Sequence, residues 1–412
     1  MTLNSREKPV SFLWRFALTY FFLYITTLTV DYFVLEPWFN FVSVPFRWLA
    51  QQTGFFFGVN LIGANHFYSD SLLVYVHLFN LLVISFSASA VWTSFAKQKF
   101  TDTKFYPFLL TLLRYFLALN LFIYSCSKIY KWQFMLPEPN ILYTRIGDMH
   151  RDMLYWTSMG TSRPYSIFMG VIEIVPAILL LFRRTTLIGA FAAVLVMTNV
   201  VAVNFGFDIT VKLHSMTLLL MAIVLLIPAG KRIAALFTGK ATEEWNYPVF
   251  MLSSSRKWVS RTVKIAAIVL ILAEAHFPYV KTHNFNDDTA ELPPMYGAYV
   301  VTNGAYIDYR DRDSLQSESP IKMIFIHRRG YIIFQNQDGS MIDYPMEIEK
   351  DTSAIHYGYG EGMNTFFCRK TTDSTYSFFG FIENPDVSLE VKRLDLSKLP
   401  LMREEFTWID ED

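Results

Sequence analysis

Cysteine is nearly absent: the 412 residues include only Cys126 and Cys368. Two thiols exclude a disulfide framework, a CxxC redox pair and a thiolate metal site, and leave either one bridge or two free thiols. Charge is scarce as well, at 17% of residues against 52% apolar. That balance excludes an ordinary soluble domain and places the chain in the membrane class. Histidine never occurs as HxxxH or HExxH, and no Gly-rich nucleotide loop or Ser nucleophile elbow is present. Repeats and low-complexity tracts are missing too.

The formal net charge of zero hides an asymmetry. Residues 276–412 hold 23 Asp/Glu and 13 Lys/Arg, leaving 13 and 23 for residues 1–275. A basic membrane part and an acidic tail fit basic loops in the cytoplasm and an acidic domain away from the anionic bilayer surface. Neither half suggests nucleic-acid binding.

Long apolar runs are what the sequence has in abundance. They predict an α-helical polytopic membrane bundle of about seven transmembrane helices. The spans are Phe12 to Val34, Leu72 to Phe95, Pro107 to Ser127, Tyr165 to Phe182, Leu187 to Phe205, Leu213 to Pro228 and Trp258 to Phe277. Between the first two, Pro37 to Asp70 is aromatic and broken by Pro and Gly, so it reads as an amphipathic segment along an interface. With the N-terminus in the cytoplasm, inner segments carry twelve bases, among them Arg6, Lys8, Lys97, Lys99, Lys104 and Arg256, and outer ones seven. The positive-inside rule then places the tail outside.

The tail alternates short aromatic and β-branched runs with turn signals at Arg329-Gly330, Asp338-Gly339 and Thr372-Asp373-Ser374. Seven runs are visible: Tyr296 to Thr302, Ile321 to His327, Tyr331 to Asn336, Met341 to Met346, Asn364 to Arg369, Thr375 to Phe381 and Ser388 to Leu394. They predict an antiparallel β barrel or sandwich. The organisation is then 1–106 for two helices and the interfacial segment, 107–240 for a four-helix core, 241–283 for a loop and the seventh helix, and 284–412 for the β domain.

Ionisable groups inside a span are costly and mark either structural pairs or functional sites. Arg114, Lys128, Glu173, Asn199, Asn204, Asp208 and Lys212 form the candidate intramembrane set. Lys128 follows Arg114 by fourteen residues, within about 40° of the same helix face and about 21 Å along the axis. Glu173, three residues before Pro176, is a geometrically reasonable partner for Arg114. Gln133, Asp148 and Trp156 join Lys128, Asp208 and Lys212 as a candidate site at the outer mouth, suited to an anionic or quinone-like head group. His66, His77 and His214 are read as interfacial or hydrogen-bonded side chains. No metal site and no catalytic residue is assigned.

The run from Tyr124 through Lys128 to Gln133-Phe134, then Gly147-Asp148, Leu154 to Gly160, Gly170 and Glu173, resembles the DoxX-like membrane protein family. Arg183 to Ala190, Met197-Thr-Asn199, and Asn204 through Asp208 and Lys212 to Ser215 extend the resemblance over about residues 107–232. Ser125-Cys126-Ser127 departs from it, standing where relatives tend to have Gly and Ala. The resemblance implies a four-helix membrane bundle, and through some relatives a quinone-linked redox role. The expectation is a bacterial inner-membrane protein that holds a small hydrophobic, quinone- or lipid-like ligand near its outer face. Alternatives are a quinone-linked oxidoreductase, and an assembly subunit that meets an envelope protein or its own copy.

Overall fold

The computed structural model describes all residues except 1–11, 29–31, 62, 65–66, 68, 96–101, 241–246, 249, 251–256, 308–319, 350–353, 360–362, 382–385 and 404–412. Arg6, Lys8, His66, Lys97, Lys99 and Arg256 lie outside the described residues. Two compact units emerge: 1–133 with 164–286, and 134–163 with 287–412.

The first unit is helical: α1 (Phe12–Thr27), α2 (Glu36–Phe56), α3 (Leu72–Phe95), α4 (Asp102–Ile129), then, beyond a stretch belonging to the other unit, α7 (Arg163–Leu180), α8 (Thr186–Gly206), α9 (Lys212–Leu226), α10 (Gly230–Phe237) and α11 (Lys257–Thr282). Among the described residues, six helical segments are long and apolar enough to cross a membrane: Leu72–Phe95, Phe105–Ile129, Arg163–Leu180, Thr186–Gly206, Lys212–Phe237 and Trp258–Thr289. The protein is a membrane protein. The expected first span is shorter than its apolar run, because α1 ends at Thr27.

α4 is the hub. Two thirds of its most apolar stretch is buried, against 28% for α8 and for the α11 segment. Leu110, Leu113, Leu117, Ala118 and Leu121 are enclosed by neighbours, whereas Val83 and Phe86 on α3 and Leu195 on α8 stay exposed. Such an apolar outer surface is what lipid contact requires. α2 turns Phe39, Ser43, Ala50 and Gly54 inward and leaves Trp38, Phe41, Trp48 and Phe55 exposed.

The second unit is a closed antiparallel barrel of eight strands in sequence order. These are β1 (Gly297–Ile307), β2 (Ile321–His327), β3 (Tyr331–Asn336), β4 (Met341–Ile348), β5 (Ala354–Tyr357), β6 (Asn364–Lys370), β7 (Thr375–Phe381) and β8 (Asp386–Leu394). Pairing of Tyr299 with Arg393 and of Val301 with Val391 closes β1 on β8, so no open edge remains among these strands. The predicted turns are present, Gly330 and Gly339 supplying the left-handed backbone at φ +73° and +91°. Only β5 escapes the sequence reading, because four residues are too few to show a period of two.

Alternation fills the barrel with Tyr299, Ile324, Ile326, Ile332, Phe334, Tyr357, Phe366 and Phe378. The opposite face of β1 to β3 is buried too. Ala298, Met323, Phe325 and Ile333 form a second cluster joined by Tyr143, which follows α5 (Pro139–Leu142) and stacks on Phe325 at 6.0 Å. The chain segment 134–163, with α5 and α6 (Arg151–Gly160), therefore belongs with the barrel.

Candidate functional site

In the helical unit, α4 and α7 run antiparallel in very close contact. Gly170 makes this possible, since a Cβ there would stand 2.9 Å from Ser125 O and 2.6 Å from the Ile129 side chain. Ser125 Oγ donates to Gly170 O at 2.8 Å, and Ser166 Oγ donates to Lys128 O at 2.9 Å. Those bonds set the register that brings Lys128 Nζ to Glu173 Oε2 at 2.8 Å. Both side chains are enclosed, 7% and 3% exposed.

The expected Arg114 to Glu173 pair is therefore corrected. Side chains on a helix lean toward its N-terminus, and the C-terminal end of α4 meets the N-terminal end of α7. Lys128 and Glu173 thus lean toward each other, while Arg114 leans away. Arg114 instead donates to Thr186 Oγ1 at 3.1 Å, about midway along α4, with its guanidinium over Tyr115 at 4.9 Å.

Tyr124 connects the ion pair to a second polar group. Lys128 Nζ lies over its ring at 5.6 Å, and His214 lies 6.2 Å from it, centroid to centroid. His214, early in α9, contacts Tyr24 OH through Nδ1 at 2.9 Å and Asn120 Oδ1 through Nε2 at 3.2 Å. Asn120 Nδ2 donates to Phe116 O, which fixes its amide orientation. Its Oδ1 must accept, so His214 carries its proton on Nε2 and takes the Tyr24 proton donor on Nδ1. The result is a directed chain, Tyr24 O–H to His214 to Asn120, linking α1, α9 and α4.

The remaining members of the candidate set are dispersed. Asn204 is buried and donates to Ser215 Oγ at 2.9 Å, beside His214 in sequence. Asn199 is exposed. Lys212 pairs with Asp208 at 2.7 Å, and Asp208 is itself exposed at φ +56°. Gln133 stays with α4, its Oε1 accepting from Ser127 Oγ at 3.2 Å. Asp148 and Trp156 belong to the barrel unit, where Asp148 is exposed and Trp156 packs against Phe134 at 5.3 Å. Cys126 and Cys368 are free thiols.

Several organising residues were not visible in sequence. Asp70 accepts from the Lys212 and Leu213 amides at 2.8 and 3.0 Å, capping α9 from a distant loop. Glu274 of α11 accepts from the amides of Phe33, Val34 and Leu35 at the start of α2. Both place a carboxylate on the positive end of a helix, but a remote cap leaves no local spacing to find. Tyr24 and Asn120 lacked any signal beyond their polarity in an apolar run.

The barrel unit holds an ionic cluster of its own. Arg328 Nε contacts Glu138 Oε1, and Arg328 Nη1 reaches Asp287 Oδ2 at 3.1 Å. Burial disfavours the Arg328 charge, yet Glu138, Tyr296 and Asp287 around it raise its pKa above the usual value. Beside it, burial first and then Arg329 and Arg328 push the His327 imidazole down to about 4. The Glu138 carboxylate 3.7 Å away is outweighed.

One known protein shares the sequence of part of this chain. The match is 36% identical over 113 residues, covering 27% of this chain and 71% of the relative, the Bacillus subtilis protein described as Uncharacterized protein YwoB. The chain belongs to the YwoB family. No family model and no solved structure matches it. The relationship to YwoB thus supports common descent, while its description carries no activity to transfer.

Proposed function

We propose that this protein is a multi-pass protein of the bacterial inner membrane whose helical unit binds a small hydrophobic, quinone- or lipid-like molecule through a polar head group. In this reading the N-terminus is cytoplasmic and the barrel periplasmic. The observation that carries it is the Lys128 to Glu173 pair, enclosed inside an apolar bundle and continued through Tyr124 to His214. A buried ion pair is seldom more stabilising than apolar residues of the same volume, so stability alone is a poor reason to keep one in hydrocarbon. Lys128 carries three N–H donors and offers them to a carbonyl or phosphate oxygen, and Glu173 offers an acceptor to a hydroxyl. The DoxX-like resemblance over residues 107–232 agrees in locating the polar core in α4 and α7 to α9.

The decisive experiment is mass spectrometry of the gently purified full chain. A co-purifying small hydrophobic molecule, lost in Lys128→Met and Glu173→Gln variants that still fold, supports the reading. Wild-type protein free of any such molecule refutes it. The directed Tyr24 to His214 chain favours a second reading, a quinone-linked oxidoreductase in which the tyrosine hydroxyl passes a proton. Quinone-dependent turnover abolished in Tyr24→Phe would distinguish that from binding alone.

A further inference from the structure

α3 carries polar side chains on its buried stripe that play no part in the site around Lys128. His77 and Asn80 stand three residues apart on that stripe, at 0% and 7% exposure. Residues at this spacing are neighbours on one helix face. Each is only half satisfied.

Thr27 Oγ1 donates to Leu23 O at 2.7 Å, which uses its single proton. Its 2.9 Å contact with His77 must then be donated by the imidazole Nε2–H. Nδ1 is left as a bare acceptor, and no group among the described residues meets it. Asn80 shows the opposite deficit: Thr53 Oγ1 donates to its Oδ1 at 3.1 Å, while Nδ2 has no partner among the described residues. Phe67 stacks on the imidazole at 4.1 Å and Phe46 meets it edge-on at 6.0 Å, so the ring is held in place. Ser85, fully buried on the same stripe, also has a hydroxyl with no partner among the described residues.

Unsatisfied polar groups are costly in any protein interior, and more so where hydrocarbon replaces water outside. An acceptor and a donor one turn apart complement a group that is both. We propose that His77 Nδ1 and Asn80 Nδ2 form a second binding site that holds one hydroxyl, which donates to the imidazole and accepts from the amide. A carboxylate cannot donate and an ammonium cannot accept, so neither satisfies both atoms. Two sources supply the hydroxyl, a water molecule or the alcohol head group of a membrane lipid. Thr53 is only half-buried, so the Asn80 end is the more accessible side.

Nitrogen-15 NMR of histidine-labelled full chain reads the Nδ1 lone pair directly. The protein is placed in phosphatidylcholine nanodiscs with and without added diacylglycerol, and His77→Gln assigns the signal. Replacing the other histidines one at a time assigns it if His77→Gln does not fold. The expected result is an Nδ1 resonance upfield of an unbonded acceptor nitrogen, returned to the unbonded position by Asn80→Leu. The same shift in both membranes identifies water, and a shift seen only with diacylglycerol identifies the lipid alcohol. An unbonded resonance in both membranes overturns the proposal, as does a shift that Asn80→Leu leaves unchanged.

Discussion

Lys128 stands about 9 Å along α4 from the level of Glu173, judged from the Ser125 to Gly170 and Lys128 to Ser166 register at 1.5 Å per residue, yet their charged ends meet at 2.8 Å. Two opposed helix directions make this reach available. Breaking the pair strands one charge, so Glu173→Ala should cost about 3–5 kcal/mol, whereas Lys128→Met with Glu173→Leu should recover most of it. Unfolding of the single and double variants in one detergent checks this. A double variant no more stable than the singles would show that the pair is not the source of the loss.

Close approach of α4 and α7 depends on a missing side chain. Gly170→Ala should destabilise the helical unit by about 1–3 kcal/mol, because the new methyl meets backbone and cannot be accommodated by rotamer change alone. Thermal unfolding measures the loss. The ligand proposed for the Lys128 site should weaken in parallel, since the register of the ion pair moves with α7.

Glu274 holds the start of α2 from another helix. Glu274→Gln retains an acceptor but loses the charge, and Glu274→Ala loses both. The expected costs are graded, with Ala at about 1–2 kcal/mol by analogy with lost N-caps. Hydrogen exchange at the Phe33, Val34 and Leu35 amides should quicken in the same order. Unchanged exchange there would separate α2 from Glu274.

Stability should fall in mild acid through His327. Its folded pKa is lowered to about 4, below the ordinary 6.5, so the unfolded chain binds the proton first as pH drops. Its contribution is full above about pH 6.5 and lost progressively toward pH 4, amounting to about 3 kcal/mol at most. Its side chain is 18% exposed. Denaturant unfolding of the full chain across that window should show a slope that His327→Gln flattens. An identical slope in the variant would assign the loss to other groups.

Much of the architecture was legible from residue order. Apolar runs and alternating runs have different periods, so helices and strands separate without any tertiary information. Gly330 and Gly339 mark their turns because few other residues adopt the left-handed backbone. Lys128 and Glu173 were legible individually, as charges in apolar helices are conspicuous.

Partners were another matter. Whether Glu173 meets Lys128 or Arg114 depends on helix direction and on the register set by Gly170, Ser125 and Ser166, which no one-dimensional spacing records. Closure of the barrel rests on β1 finding β8 across the length of the unit, and α5 covers the outer face of β1 to β3 from a segment more than a hundred residues upstream in the chain. The sequence by itself determined a membrane helical unit followed by a β unit, because burial period is a local property. Only the tertiary structure decided which polar groups meet inside each unit, because a hydrogen bond or ion pair requires two distant segments to arrive together with the right direction.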